Sequence, residues 1–256
     1  MKKGRLLQEV VLLQKIYRVS TEEAGKFLKN IIEDLDCSLT DISVTENGWV
    51  RVQVSGRDEM VVVRLLRRRC GLAPISVANV KHFSTFRGRV TFSGRSRTEA
   101  FVDVGAFSPN PVYARIPLRT LQGQLVGGHK LAMQRIEEMF VLLDNLPLEV
   151  RVMKVDVETL TAELTEKQLG IFGHWVDERF DRLIVLGVPI GGVLRAIDRA
   201  RLEGDVLCVE SLGLLEHAVI CKLGTDAVGL VPRLGRWMPS GVLGVFSPRS
   251  VLRVVS

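Results

Sequence analysis

Two arginine pairs, Arg87/Arg89 and Arg95/Arg97, bracket what reads as a short β-hairpin; Arg115 and Arg119 follow it, and Arg64, Arg67 and Arg68 precede it. A guanidinium group carries several N–H donors in a fixed fork that matches phosphate oxygens. These residue types therefore suit gripping a polyanion better than making or breaking bonds. Arg64, Arg67 and Arg68 recur at helical spacing, with Arg69 beside them, which fits a solvated helix face as well as a phosphate-contacting one. Phe92, Phe101 and Tyr113 are the aromatics within reach of this stretch, and strand parity turns some of them inward. The charge is uneven along the chain. From Arg57 to Arg119 there are 12 Lys/Arg against 4 Asp/Glu, and from Gln134 to Asp181 there are 5 against 11, although the net charge is only +6. A basic, polyanion-binding face beside an acidic region that is solvated or meets a basic partner is the expectation.

Bond-making chemistry finds less support. His82, His129, His174 and His217 are scattered, and none stands in a nucleophile frame with Ser or Cys. Cys208, His217 and Cys221 offer three metal ligands without a fourth nearby, and no CxxC spacing occurs among Cys37, Cys70, Cys208 and Cys221. Glu137/Glu138 and Asp177/Glu178 fall on amphipathic stretches where a solvated face is the ordinary reading. Gly191-Gly192 lacks the GK[ST] of a phosphate loop. No catalytic residue, no cofactor and no metal is expected. No apolar run reaches the roughly 18 residues of a membrane span, and the N-terminal apolar run, interrupted by Gln8, Glu9, Gln14 and Lys15, reads as a strand rather than a signal peptide. A cytoplasmic protein is expected.

The elements that must position the arginines follow from periodicity. Residues 5–17 read as a strand. Ser20 and Glu23 have capping-box spacing ahead of a helix whose apolar positions are Ala24, Phe27, Leu28, Ile31, Ile32 and Leu35. Leu39–Val44 and Trp49–Val54 alternate about the turn Glu46-Asn47-Gly48, with Trp49 reading as core. Arg57–Cys70 is a helix stopped by Gly71 and Pro74, and Ile75–Val80 is a last strand. The order is β-α-β-β-α-β, the ferredoxin-like plan. Strands at 87–93, 99–105 and 113–118 follow. After Gly127-Gly128 comes one helix bearing Leu131, Ile136, Met139, Phe140 and Leu143, and then strands 148–157 and 159–165 about a turn at Val157-Glu158-Thr159. Three strands, a helix and two strands is the order of an OB barrel.

The pattern GRVTFSG…EAFVDVG…ARIPL, then EVRVMKVDVETLTAEL, resembles an S1-type RNA-binding OB domain over roughly Phe86 to Glu166. Further on, 171–186 reads as a helix, 193–202 as a short helix, and Glu216–Leu223 with Gly229-Leu230-Val231-Pro232 as a partial echo of the barrel. The whole arrangement, including RAxxxGDVLCVESLG and GTDAVGLVP, is similar to a family of archaeal proteins of unknown function. That resemblance implies an archaeal, cytoplasmic protein and supplies no activity.

The expected fold is α+β. It comprises an N-terminal ferredoxin-like βαββαβ module (1–80), a central S1-like OB β-barrel with an inserted helix (81–168), a helical linker (169–203) and a small β-rich, S1-like unit (204–256). The expected function is non-catalytic binding of structured RNA or a ribosomal surface. The contacts are Arg64, Arg67, Arg68, Arg87, Arg89, Arg95, Arg97, Arg115 and Arg119, with Phe92 and Tyr113. A protein-interaction adaptor of the translation or transcription machinery, using the acidic 134–181 region, is the alternative, and an RNA-processing enzyme comes third.

Overall fold

The computed structural model describes residues 8–17, 21–92, 96–156 and 159–255, without the side chains of Glu23 and Ala24. The Ser20–Glu23 cap, Ala24, Arg95 and the turn at Val157-Glu158 thus lie outside what is described. No helix among the described residues is long and apolar enough to cross a membrane.

Alternation puts Val50, Val52 and Val54 on one face of β3 (Trp49–Gly56), where all three are buried. β3 lies between β1 (Gln8–Lys15) and β2 (Cys37–Val44), antiparallel to both. Helices α1 (Thr21–Ile32) and α2 (Glu59–Cys70) close the valine face with Leu28, Ile32, Val62, Leu66 and Cys70 in one core. After α2 the chain runs back along β1. Leu13 N donates to Gly71 O (3.0 Å), Ala73 N donates to Val11 O (2.8 Å), and Leu12 bridges Leu72. The expected strand Ile75–Val80 does not join this sheet. Only β4 (Ile75–Ser76) is extended, and residues 77–79 form a single 3-10 turn begun by Ser76 Oγ accepting from Ala78 N.

The centre is a closed barrel of β5 (Thr85–Thr91), β6 (Glu99–Ser108), β7 (Val112–Pro117), β8 (Pro147–Val155) and β9 (Leu160–Leu164). Its ladder runs β5–β6–β7–β9–β8 and back to β5, with β7 and β9 parallel and every other pair antiparallel. This connectivity is OB-like. Val90, Val102, Ala114, Ile116, Val150 and Val152 fill the interior. An additional helix, α3 (Leu118–Leu125), precedes the Gly127-Gly128 turn, and the helix expected after that turn is α4 (Met133–Phe140). β4 adds parallel to the far end of β6.

The C-terminal third is not a second barrel. It holds α5 (Glu166–Asp177), β10 (Arg182–Leu186), α6 (Ile190–Ala200), β11 (Val206–Ser211), β12 (Glu216–Cys221), α7 (Ala227–Gly235), β13 (Val242–Phe246) and α8 (Pro248–Val255). Its sheet runs β11-β12-β10-β13, antiparallel throughout. From β10 to β13 that is β-α-β-β-α-β in the split βαβ arrangement, found here complete. The expected helix 171–186 ends at Asp177, because Leu183–Leu186 is buried on both faces and carries no helical period. The stretch Gly229–Pro232 is helical, begun by Asp226, whose Oδ1 accepts from Val228 N at 3.0 Å. One face of the sheet packs Leu183, Val185 and Val219 under α6 and α7. The other joins Ile184, Ala218 and Phe246 to the barrel core through Phe140, Phe172 and Trp175.

The three units share their interiors. Val11, Leu13 and Trp49 pack against Phe86 and Phe107 of the barrel wall. Leu214 and Leu215, between β11 and β12, are buried in the N-terminal core. Gly105 marks a close approach of the barrel to the N-terminal unit: its φ is +79°, and a Cβ there would stand 2.6 Å from Ala73 Cβ. Gly105→Ala therefore combines a strained backbone with a clash between units. It is expected to cost about 1–3 kcal/mol, read as a lower urea midpoint at an unchanged m-value.

Candidate nucleic-acid interface

Helix α2 turns Val62, Val63, Leu66 and Cys70 inward, which leaves Arg64, Arg67, Arg68 and Arg69 exposed. None of the four makes an ion pair among the described residues. Cations in a last helical turn favour the helix end, but their position also gives them a common outlook. Arg67, Arg68 and Arg69 line a cleft of about 750 Å³ between the N-terminal unit and the barrel. Across it stand Ser84, Thr85 and Arg87 at the start of β5, with Glu149 and Lys167. The acids that line the cleft are engaged. Glu149 accepts from Lys167 Nζ at 2.7 Å and Thr165 Oγ1 at 3.0 Å, and Glu9 lies 3.5 Å from Arg51 Nε. The uncompensated charge of the cleft is therefore that of its arginines. Arg87 is half-buried and its guanidinium donates to Leu212 O; burial, and then the neighbouring Arg89 charge, lower its pKa.

Arg89 is removed from any phosphate-facing surface. It projects outward from the barrel wall, opposite Asp103, but outward there is the interior of the protein. β1 and the β11–β12 turn cover it, and its side chain is 0% exposed. Its Nη2 donates to Gln14 Oε1 (2.9 Å) and lies 3.3 Å from Glu216 Oε2, also fully buried. Gln14 Oε1 accepts from Leu214 N as well (3.1 Å), and Tyr17 OH donates to Glu216 Oε1 (2.8 Å). Burial, and then the Glu216 charge, push the Tyr17 pKa up. Gly213 admits this packing, since a Cβ there would collide with the Glu216 carboxylate. Asp103 is held likewise, 2.6 Å from Lys15 Nζ, which also lies over the Trp49 ring. One residue from each of the three units thus meets at Arg89.

The remaining expected contacts lie elsewhere on the barrel. Arg115 is half-buried on the outer face of β7, in register with Phe101 on β6 and Thr161 on β9. Tyr113 is half-buried two residues away. Arg97 and Arg119 are exposed at one end of the barrel, where Leu118 N donates to Thr98 O. Phe92 packs against the barrel core, and its N–H donates to Asp144 Oδ1 at 3.2 Å. The described arginines thus divide among a cleft, a buried junction, the outer wall of the barrel at Arg115 and a barrel end, with Arg64 on the exposed side of α2.

Register separates the Cys208/His217/Cys221 trio. Cys208 faces Ile220 across the ladder, so it lies on the opposite side of the sheet from Cys221. The acidic stretch is not one open surface, because Glu149, Glu163 and Glu178 pair with Lys167, Arg151 and Arg182. Gln14, Tyr17 and Glu216 are polar residues in apolar stretches, and they mark a buried network only once the partner segments are known.

An OB-like barrel set between two α/β units, with a basic cleft at one seam, defines an α+β protein built around a closed β-barrel. The chain belongs to the DUF2110 family. The DUF2110 N-terminal domain matches residues 9–74 and the DUF2110 C-terminal domain matches 180–246, together just over half of the chain. The first match ends where the N-terminal unit ends, and the second runs from just before β10 to the end of β13. No curated protein matches the chain.

Proposed function

We propose that this chain is an RNA-binding protein that holds the phosphate backbone in the cleft between α2 and the barrel, acting as a binding module rather than an enzyme. The observation that carries the reading is the run Arg67-Arg68-Arg69, free of ion pairs among the described residues and lining one cleft with Arg87. A polyanion is the ligand that compensates such a wall, and its condensed counterions supply the driving force on release. In this reading the barrel is an S1-like OB unit, and the N-terminal module is a ferredoxin-like unit whose last strand has shrunk to a bridge. Arg97, Arg115 and Arg119 extend the contact around the barrel for a structured RNA.

The test is the salt dependence of binding to a structured RNA by fluorescence anisotropy. Affinity should fall steeply between about 50 and about 200 mM salt. The variant carrying Arg67→Ala, Arg68→Ala and Arg69→Ala should bind at least about tenfold more weakly, with a salt slope lower by about 2. Binding too weak to measure at the lower salt, or equal in the variant, overturns the reading. A protein partner retained after nuclease treatment would support an adaptor instead.

A further inference from the structure

We infer that the cleft takes an unpaired stretch of RNA and that Phe83, at its rim, stacks on one of the bases. This rests on the RNA reading above and adds the class of RNA. Phe83 is 58% exposed, yet its main chain is held firmly. Phe83 N donates to Val152 O (2.8 Å), and Val152 N donates to Ser84 O (2.9 Å), so the residue is pinned to β8 just ahead of β5. Its φ is +63°, a left-handed conformation that bulky residues rarely adopt. The outcome is a large apolar ring presented to solvent from a rigid support, and ordering such a group beforehand lowers the cost of binding through it. The His82 ring lies against it, with centroids 3.9 Å apart and planes tilted by 49°. Lys81 and His82 are exposed too, and Ser84 and Thr85, the next residues along, line the cleft.

An aromatic ring beside an arginine-lined groove is the pairing that single strands use: the groove tracks phosphates and the ring takes a base face. A duplex offers the same phosphates but hides those faces in its stack, so the ring distinguishes the two. The other exposed large aromatic among the described residues, Trp237, stands on the C-terminal unit, with the Arg199 guanidinium 5.5 Å from its ring centroid.

The experiment compares a single-stranded RNA oligonucleotide containing 2-aminopurine with a blunt RNA duplex of equal length. The proteins are the full chain, Phe83→Ala, Phe83→Tyr and the Arg67/Arg68/Arg69 alanine variant. Phe83→Ala should weaken single-strand binding about tenfold and reduce the 2-aminopurine quench, with duplex binding and thermal stability unchanged; Phe83→Tyr should restore both. If Phe83→Ala binds the single strand like the parent while the arginine variant does not, the stacking role is overturned and the cleft reading stands. Equal weakening toward strand and duplex overturns it as well. If neither RNA binds at low salt, both readings fall together.

Discussion

Arg89→Ala is expected to lower stability by about 3–5 kcal/mol, the cost of leaving one member of a buried ion pair uncompensated. The carboxylate left behind, Glu216, is fully buried, and Tyr17 OH would be its remaining hydrogen-bond donor among the described residues. Gln14 would lose its Arg89 partner too, and its Oε1 would keep only the Leu214 N–H. Urea unfolding at neutral pH measures the effect. Because Leu214 and Leu215 are anchored in the N-terminal core, loss at this point should loosen both the barrel and the C-terminal unit from it. Replacing both partners, Arg89→Met with Glu216→Gln, should cost clearly less than the sum of the single changes. Arg89 Nε and Nη1 find no acceptor among the described residues, so an apolar side chain there also removes unmet donors. The salt slope of the proposed RNA binding should not change in the folded Arg89→Ala protein. An unaltered stability with a shallower slope would put Arg89 on the proposed phosphate-binding surface.

That outcome bears on how basic residues in a barrel sequence are read. Arg87, Arg89 and Arg115 all stand on barrel strands, and alternation sorts Arg89 and Arg115 correctly to the outside of the wall. The period of a strand separates the barrel interior from everything else. It does not separate solvent from a neighbouring unit. Arg115 keeps part of its surface, whereas β1 and the β11–β12 turn lie over Arg89, and these segments are 75 and 127 residues away from it in the chain at Gln14 and Glu216.

The same distinction governs what was legible elsewhere. α1, α2, β3 and the barrel strands β7, β8 and β9 could be read because apolar residues recur on one side with polar residues between them, and the period shows. β5 and β6 kept that alternation in residue type although Arg89 and Asp103 are buried on their outer side. β10 could not: Leu183–Leu186 has no open face, and the adjoining amphipathic stretch made it look like the end of a helix. The stretch around Val231-Pro232 was misread for a different reason. Valine and proline favour extended chain locally, but the Asp226 cap and the burial of Ala227, Leu230 and Leu234 settle it as helix. The cleft was half legible, since Arg67 and Arg68 were visible as a basic face, while their juxtaposition with Arg87 and Thr85 depends on how two units dock. Phe83 was missed because its exposure follows from a left-handed backbone residue that no propensity foretells.

The start of β12 also carries the second large effect. Glu216 turns into the junction with Arg89, and the next residue, His217, turns to the opposite face, with Ser211 and Val185 beside it in the ladder. His217 Nδ1 lies 3.2 Å from Ser211 Oγ, and burial pushes the imidazole pKa down to about 4. In the unfolded chain the ring titrates near its ordinary value of about 6.5. Between those values the unfolded state binds a proton that the folded state refuses, so stability is present above about pH 6.5 and is lost as pH falls toward 4. The full loss from this one ring amounts to about 3 kcal/mol. His217→Gln removes the proton site while leaving a group that can still pair with Ser211. Near pH 7 the variant should be the less stable of the two, through imperfect packing. On acidification the parent should lose about 3 kcal/mol more than the variant, a difference in which the carboxylates common to both proteins cancel. Urea midpoints at several pH values between about 4 and about 7 measure it, and a constant gap across that range would mean that His217 accepts its proton as readily folded as unfolded.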